Sequence, residues 1–161
     1  MIRVGITGSR RGLTQDQLAV LTVISRVIAP SVYEVHHGDC VGVDVQAVEV
    51  FRRHNPSIVA VAWPPKVKTY AANHPSDFRH PPMDYLERNE KIVEAADLLL
   101  AFPVGESRGT MHTWRAASEL KRPRIRVAED GFVECLNVNN PRTAPGAWNG
   151  KLVRLLFGIS Q

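Results

Sequence analysis

The chain is built around the sequence ADLLLAFPVGESRGTMHTW, residues 96–114. Residues 98–102 form a short continuous apolar block, which is typical of a strand buried on both faces of a sheet. Pro103 and Gly105 end this block, and Gly109-Thr110 opens a stretch with helical spacing. A turn that enters a helix leaves free backbone N–H groups beside the positive end of the helix dipole. The stretch therefore predicts an anion site, and phosphate is the ligand group that we expect there.

The same alternation of strand and helix runs through the rest of the chain. The apolar patterns predict strands over residues 2–7, 32–36, 57–62, 98–102, 124–127 and 132–138, and helices over residues 15–29 (after Thr14 as N-cap), 43–53, 84–95 and 110–120. Residues 63–82, rich in proline and histidine, predict a long loop that is either a functional lid or disordered. A further loop over residues 139–147 and a closing helix over 148–157 are expected. The pattern predicts an α/β fold, a Rossmann-like, doubly wound and mostly parallel sheet with helices on both faces.

Length and composition are those of an ordinary soluble protein. The 161 residues fit a single domain, with residues 128–161 as a C-terminal extension. The net charge of +4 is compatible with an anionic ligand but too small to favour a nucleic-acid surface. Two cysteines make no disulfide framework, and neither a signal peptide nor an apolar run of bilayer length is present. We therefore expect a cytoplasmic protein without a membrane partner.

Three turns rich in glycine and hydroxyl groups follow predicted strands. They are residues 7–10 (Thr-Gly-Ser-Arg), residues 38–44 and residues 105–110. Because ligands of open α/β sheets bind outside the carboxyl ends of the strands, these turns are expected to form one wall of N–H, hydroxyl and guanidinium groups. Their convergence predicts a binding site at this edge of the sheet.

Several familiar sites are excluded by their motifs. Neither the dinucleotide fingerprint G-x-G-x-x-G nor the triphosphate loop G-x-x-x-x-G-K-[ST] is present. The run GESRG around Ser107 matches G-x-S-x-G, but no histidine follows in the order that a nucleophile elbow requires. The cluster His36, His37, Asp39 and Cys40 is too compact for its side chains to converge on one ion. We therefore expect neither an esterase site nor a metal site.

Four short motifs stand in a characteristic order: Gly38-Asp39-x-x-Gly42-x-Asp44, Arg88-Asn89, the run from Ala96-Asp97 to Phe102-Pro103, and Arg108-Gly109-Thr110. Together they resemble the SLOG superfamily, which contains the DNA-processing protein DprA, the LOG cytokinin-activating phosphoribohydrolases and the YspA/YpsA-related proteins. The resemblance covers about residues 2–127 and is strongest to the YspA-like branch. It implies a Rossmann-like fold that binds a nucleotide-type small molecule, with a homodimer or higher homo-oligomer as the expected assembly. No cofactor is expected.

The LOG enzymes carry a loop P-G-G-x-G-T-x-x-E whose glutamate supports cleavage of the N-glycosidic bond. Pro103, Gly105, Gly109 and Thr110 keep the turn, but Thr113 stands at the glutamate position. A threonine cannot act as the carboxylate of such a reaction. The resemblance therefore favours ligand binding over catalysis, and a hydrolase would need another carboxylate. Asp39 and Glu106 are the candidate catalytic residues for that alternative.

Several candidate residues also have an ordinary structural role as the alternative to ligand contact. Asp39 is expected to contact the ligand, whereas Asp44 is expected first of all to cap the second helix. For Arg10 and Arg108, ligand contact and a solvated surface position stay open. On a helical wheel Leu86 and Val93 form the apolar stripe of this helix, and Arg88 lies nearly opposite, which favours a solvent-facing side chain.

The leading hypothesis is a nucleotide-binding domain, with an N-glycosidase of the LOG kind as the alternative. DNA binding of the DprA kind is disfavoured, because the sequence carries no basic stripe with interleaved aromatic residues. The candidate ligand-binding residues are Thr7, Gly8, Ser9, Arg10, Gly38, Asp39, Gly42, Asp44, Arg88, Asn89, Phe102, Pro103, Gly105, Ser107, Arg108, Gly109, Thr110 and Thr113.

Overall fold

The computed structural model describes residues 1–138, in which strands and helices alternate over most of the length. The elements are β1 (Ile2–Gly8), α1 (Gln15–Ile28), β2 (Val32–His37), α2 (Val43–His54), β3 (Val59–Ala62), β4 (Phe78–Arg79), α3 (Tyr85–Ala95), β5 (Leu98–Phe102), α4 (Arg108–Glu119), β6 (Arg124–Val127) and β7 (Val133–Leu136). The loop and the closing helix predicted over residues 139–157 lie outside the described residues.

The strands form one seven-stranded sheet in the order β4-β3-β2-β1-β5-β6-β7. All neighbouring strands pair in parallel except β7, which pairs antiparallel with β6. The chain moves outward from β1 through β2 and β3 on one side, then crosses back to place β5 on the other side of β1. The strand order therefore reverses between β1 and β5, and the predicted doubly wound, mostly parallel α/β fold is confirmed.

Strand β5 shows how the two faces of the sheet are covered. Leu98, Leu100 and Phe102 pack into the larger apolar cluster with side chains of α1 and α2. Leu99 and Ala101, which point to the opposite face, pack with side chains of α3 and α4. This alternation explains the uninterrupted apolar run of β5, because both faces of the strand are buried under helices.

A buried glutamine connects the start of α1 to the carboxyl ends of β5 and β6. Thr14 and Gln17 form a capping box, as the N-cap prediction requires. The fully buried side chain of Gln17 also donates from Nε2 to the carbonyl oxygens of Pro103 (2.9 Å) and Val127 (3.0 Å). These bonds hold the ends of β5 and β6 and so fix where the turn into α4 begins.

Two predicted segments differ from the structure. Strand β4 lies inside the stretch predicted as a loop, where Phe78 and Arg79 pair with β3. A two-residue strand is too short to produce a periodic pattern, so the sequence gives no signal for it. Helix α4 begins at Arg108, two residues before the predicted start, and Thr110 is therefore a residue of its first turn. Within the described part of the chain, no helix combines the length and apolar character needed to cross a bilayer.

Candidate functional site

A cavity of about 610 Å³ lies at the carboxyl end of β1, where the strand order reverses. This is the place where ligands of open α/β sheets bind. Its walls come from the turn after β1, the turn between β2 and α2, one face of α3 and the first turn of α4. We call it the central cavity; its lining residues are Ile6, Thr7, Gly8, Ser9, Arg10, Arg11, Gly38, Cys40, Asp44, Tyr85, Leu86, Arg88, Asn89, Ile92, Val104, Glu106, Ser107, Arg108, Gly109, Thr110 and His112.

The first turn of α4 forms the wall with an unobstructed backbone. Arg108, Gly109 and Thr110 are its first three helical residues, whose N–H groups have no partner within the helix. A side chain added at Gly109 would meet no atom within 4 Å, so the helix is open to the cavity at this point. The hydroxyl groups of Ser107 and Thr110 lie 2.5 Å apart and share a hydrogen bond beside this backbone. The positive end of the α4 dipole thus borders the cavity.

The turn after β1 contributes side chains rather than backbone donors. The N–H of Ser9 donates to the carbonyl oxygen of Phe102 (3.2 Å), and the carbonyl oxygen of Ser9 accepts from the N–H of Val43 (3.1 Å). At Gly8 an added side chain would collide with Val43. The N–H of Ser9 is therefore not free for a ligand, because this backbone holds β5 and α2 in place.

Arg10 crosses the edge of the central cavity between two tyrosines. Its guanidinium carbon lies 3.7 Å from the ring centre of Tyr70 and 5.4 Å from that of Tyr85. Both distances are typical of cation–π contacts. The charge of Arg10 is therefore held beside the cavity while its side chain stays exposed.

The prediction that Arg88 faces solvent is wrong. Its side chain lines the central cavity and is only 5% exposed, whereas Leu86, which the wheel places in the core, is 60% exposed. Nη1 of Arg88 donates to the carbonyl oxygens of Gly38 and Trp63 (3.4 Å), while Nε has no hydrogen-bond partner in the part of the chain that the structure describes. The helical wheel fails here because the buried face of α3 is partly polar.

Two further lining groups stand next to Arg88. Sγ of Cys40 lies 3.7 Å from Nη1 of Arg88, and burial raises the pKa of the Cys40 thiol. Nδ2 of Asn89 donates to the carbonyl oxygen of Gly109 (3.4 Å), which links α3 to the start of α4. Arg88 contacts Gly38 and Cys40, and we call this part of the cavity its floor. The Arg88-Asn89 pair therefore connects the floor to the first turn of α4.

Neither aspartate of the second turn has the role that was expected of it first. Asp44 lines the central cavity, and its Oδ2 accepts the N–H of Cys40 (3.1 Å), without the side-chain capping bond that was expected of it. Burial raises the pKa of Asp44 to about 6, although Arg88 and the N–H of Cys40 favour its charged form. Asp44 is thus a carboxyl group within the cavity whose charge changes not far below neutral pH.

Asp39 does not line the central cavity, contrary to its prediction as a ligand contact and catalytic carboxylate. The residue is fully buried with a φ of 52°, and its Oδ1 accepts the N–H of His74 (2.9 Å). Its Oδ2 accepts from Nη1 of Arg79 at 2.5 Å. Both oxygens therefore anchor the segment between β3 and α3. The left-handed backbone turns this side chain away from the cavity, which no sequence pattern reveals.

Five other predicted ligand residues also lie outside the lining. Gly42, with a φ of 94°, lets the turn pack against the carbonyl oxygens of Ser9 and Arg10. Thr113 is fully buried and donates to the carbonyl oxygen of Gly109 (2.9 Å). The remaining three are Phe102 in the apolar core, and Pro103 and Gly105 beside a separate cavity of about 240 Å³. The N–H of Gly105 already donates to the carboxylate of Glu129, so it is not free for an anion.

The other candidate residues reach the central cavity, and the structure adds some that sequence reasoning missed. Glu106, the second catalytic candidate, lines the cavity from an exposed position. The added lining residues include Arg11, Cys40, Tyr85 and His112. Cys40 lies between two quoted motif residues, and Tyr85 precedes Arg88 by one helical turn, so proximity to the motifs was the available signal. Nowhere in residues 1–138 do three or more His, Cys, Asp or Glu side chains group as a metal site.

Comparison with known proteins gives structural relatives only. No family model matches the chain, and no curated protein is a significant match.

Solved structures with the same fold include a molybdenum cofactor binding protein from Rippkaea orientalis, which is 18% identical with a TM-score of 0.65, the match covering 98% of this chain and 96% of the other. The Moco carrier protein of Chlamydomonas reinhardtii is 16% identical with a TM-score of 0.63, over 98% of both chains. The DNA processing protein A of Helicobacter pylori, which binds single-stranded DNA, is 17% identical with a TM-score of 0.59, over 99% and 82%. These likenesses show that the chain shares its fold with these proteins.

Proposed function

We propose that the central cavity binds a nucleotide or a nucleotide-derived phosphorylated ligand, with its phosphate at the start of α4. One observation carries this proposal. The open first turn of α4 and the buried guanidinium of Arg88 border the same cavity, and Nε of Arg88 has no partner among residues 1–138. Buried charged groups are normally paired, so a donor left free in a cavity fits an anionic ligand.

The size and lining of the cavity fit the rest of such a molecule. Its volume of about 610 Å³ lies within the range of small-molecule sites. Tyr85 and Leu86 offer an aromatic ring and an apolar side chain on the α3 wall, where a base would contact them. Relatives in fold are described as binding the molybdenum cofactor and single-stranded DNA, which supports a ligand-binding use of this architecture.

The hydrolase alternative is less well supported than binding. Thr113 replaces the glutamate of the LOG loop and is buried behind the cavity wall, and Asp39 is fully engaged with Arg79 and His74. Glu106 is the remaining candidate carboxylate of the two, and it is exposed. We therefore propose a binding protein, and assembly as a homodimer stays a prediction.

The proposal is tested by calorimetric titration with inorganic phosphate and the monophosphates of adenosine, guanosine, cytidine and uridine. Two variants of Gly109 form a matched pair. Gly109→Ala leaves the helix end open, whereas Gly109→Asp places a carboxylate where the phosphate is expected. We expect at least one nucleotide to bind the wild type and Gly109→Ala alike, with binding to Gly109→Asp lost.

Two results would overturn this proposal. One is the absence of binding by every nucleotide and by phosphate; the other is equal affinity of the Gly109→Asp and Gly109→Ala variants. Chromatography of the same mixtures for released base separates binding from hydrolysis. Release that disappears in Glu106→Gln would favour the enzyme.

A further inference from the structure

The floor of the central cavity holds a carboxyl group beside a guanidinium. Asp44 and Arg88 both line the cavity, and they are 6% and 5% exposed. Both side chains lie against Gly38; a side chain added there would come within 3.0 Å of Oδ2 of Asp44 and would collide with Arg88. An anion that contacts the guanidinium of Arg88 therefore also lies close to the carboxyl group of Asp44.

Like charges in a cavity shielded from water disfavour each other strongly. Arg88 can balance either the Asp44 carboxylate or an incoming anion, but a second negative charge on the floor is left without a partner. Protonation of Asp44 removes this conflict. A protonated carboxyl group also supplies an O–H donor, which an anionic oxygen accepts.

The groups that face Asp44 come from three elements. From α3 they are Arg88 and Tyr85, and from the turn between β2 and α2 it is Cys40; Asp39, whose side chain is turned away from the cavity, acts on Asp44 through its charge alone. Arg10 adds its charge from the turn after β1. Across the cavity lie Glu106, Arg108 and His112. Among these groups Arg88 has the strongest effect on Asp44 and favours its ionised form, whereas Asp39 favours the neutral one.

We propose that Asp44 is the specificity-determining residue of the central cavity, which accepts an anionic group at its floor only together with one proton. That proton comes from solvent and is held on the Asp44 carboxyl group, so no other bond forms or breaks. This inference rests on the proposed function, because it describes how the same cavity selects its ligand.

The pKa of Asp44 in the protein without ligand is already high enough for anion binding to be coupled to uptake of a proton. Burial already raises the pKa of Asp44 to about 6, so a bound anion needs to raise it only slightly further for protonation near neutral pH. If only the protonated form accepts the anion, affinity falls by about tenfold for each pH unit above that pKa.

The test is calorimetric titration of adenosine monophosphate in two buffers of different ionisation enthalpy at about pH 7.5, where its phosphate, with a second pKa of about 6, is almost fully dianionic. The wild type is expected to take up a substantial fraction of one proton on binding. Asp44→Asn is expected to take up none beyond the ligand's own and to bind about 30-fold more tightly at this pH. Glu94→Gln, an exposed carboxylate change on α3, should behave as the wild type.

The outcomes separate this inference from the proposed function. If the nucleotide binds with the same proton uptake and pH dependence in Asp44→Asn as in the wild type, Asp44 does not select the ligand, while the binding function stands. If no binding is measured for either protein, both are overturned. Should Asp44→Asn fail to fold, the wild type alone decides, because its binding without proton uptake would contradict the inference.

Discussion

Arg88 carries a permanent charge on a side chain that is 5% exposed, with carbonyl oxygens and a thiol as its hydrogen-bond partners. Burying a charge is costly unless it is paired, and Asp44 is the carboxyl group that shares the cavity floor with it. We propose that the ligand is the partner of Nε. This assignment makes Arg88 the side chain on which affinity depends most.

Replacing Arg88 by methionine keeps the length of the side chain and removes its charge. We expect nucleotide affinity to fall by about 1.5–3 kcal/mol, because a hydrogen bond to a charged group is lost. Arg115→Met, which removes a positive charge from an exposed position on α4, is the matched control and should retain the affinity. Titration calorimetry measures both. Equal losses of affinity in the two variants would contradict a direct contact between Arg88 and the ligand, because any positive charge at a distance would then have the same effect.

Asp39 provides the opposite prediction at the residue scale. Asp39→Asn weakens the contact with Arg79 inside the protein, and we expect a loss of about 1–3 kcal/mol in the free energy of unfolding. The partly exposed Arg79 keeps this value below that of a fully buried pair. Nucleotide affinity should not change while the fold is intact. Urea unfolding measures the loss of stability and titration calorimetry measures the nucleotide affinity. The exposed Asp84→Asn is the control for both.

At the scale of elements, the buried Gln17 connects α1 to the turn that enters α4. Gln17→Ala leaves the carbonyl oxygens of Pro103 and Val127 without their donor and removes half of the capping box. We expect the free energy of unfolding to fall by about 2–3 kcal/mol. Asp16→Ala, its neighbour in the first turn of α1, should cost much less. Urea unfolding compares them, and a loss at Gln17 no greater than that at Asp16 would contradict this role.

The elements were predictable from sequence where burial produced a regular pattern. Apolar runs located every strand of the sheet except β4, and Thr14 marked the start of α1. The polar face of α3 was not predictable, because a wheel assigns charged residues to solvent and cannot recognise a cavity. The same limit applies to Asp39 and Asp44, which are five residues apart and lie on opposite sides of one turn. Backbone geometry, which the sequence does not encode in any visible pattern, decides between them.

At the scale of the whole molecule, two buried groups give stability opposing dependences on pH. Burial lowers the pKa of His37 to about 3, from 6.5, so its contribution is complete above pH 6.5 and is lost as the pH falls from there towards 3. The pKa of Asp44 is raised from 3.8 to about 6, so its neutral form favours the fold below pH 3.8, and this contribution is lost as the pH rises to 6.

The two contributions partly cancel between about pH 4 and pH 6. We expect the wild type to lose stability on acidification below about pH 6.5, since the pKa values of His36 and His80 are also lowered by burial. Asp44→Asn removes the opposing contribution and should lose stability more steeply over the same interval. Urea unfolding at a series of pH values measures this difference. Parallel curves for the two proteins would show that Asp44 is not held neutral by the fold.

We have proposed that the central cavity, at the point where the strand order reverses, binds a nucleotide whose phosphate contacts the first turn of α4. The most direct measurement is a crystal structure of the protein with the nucleotide that binds it most tightly. We expect phosphate oxygens within hydrogen-bond distance of the N–H groups of Gly109 and Thr110, with the nucleoside inside the central cavity. A nucleotide bound elsewhere, or with its phosphate away from the first turn of α4, would contradict the proposal.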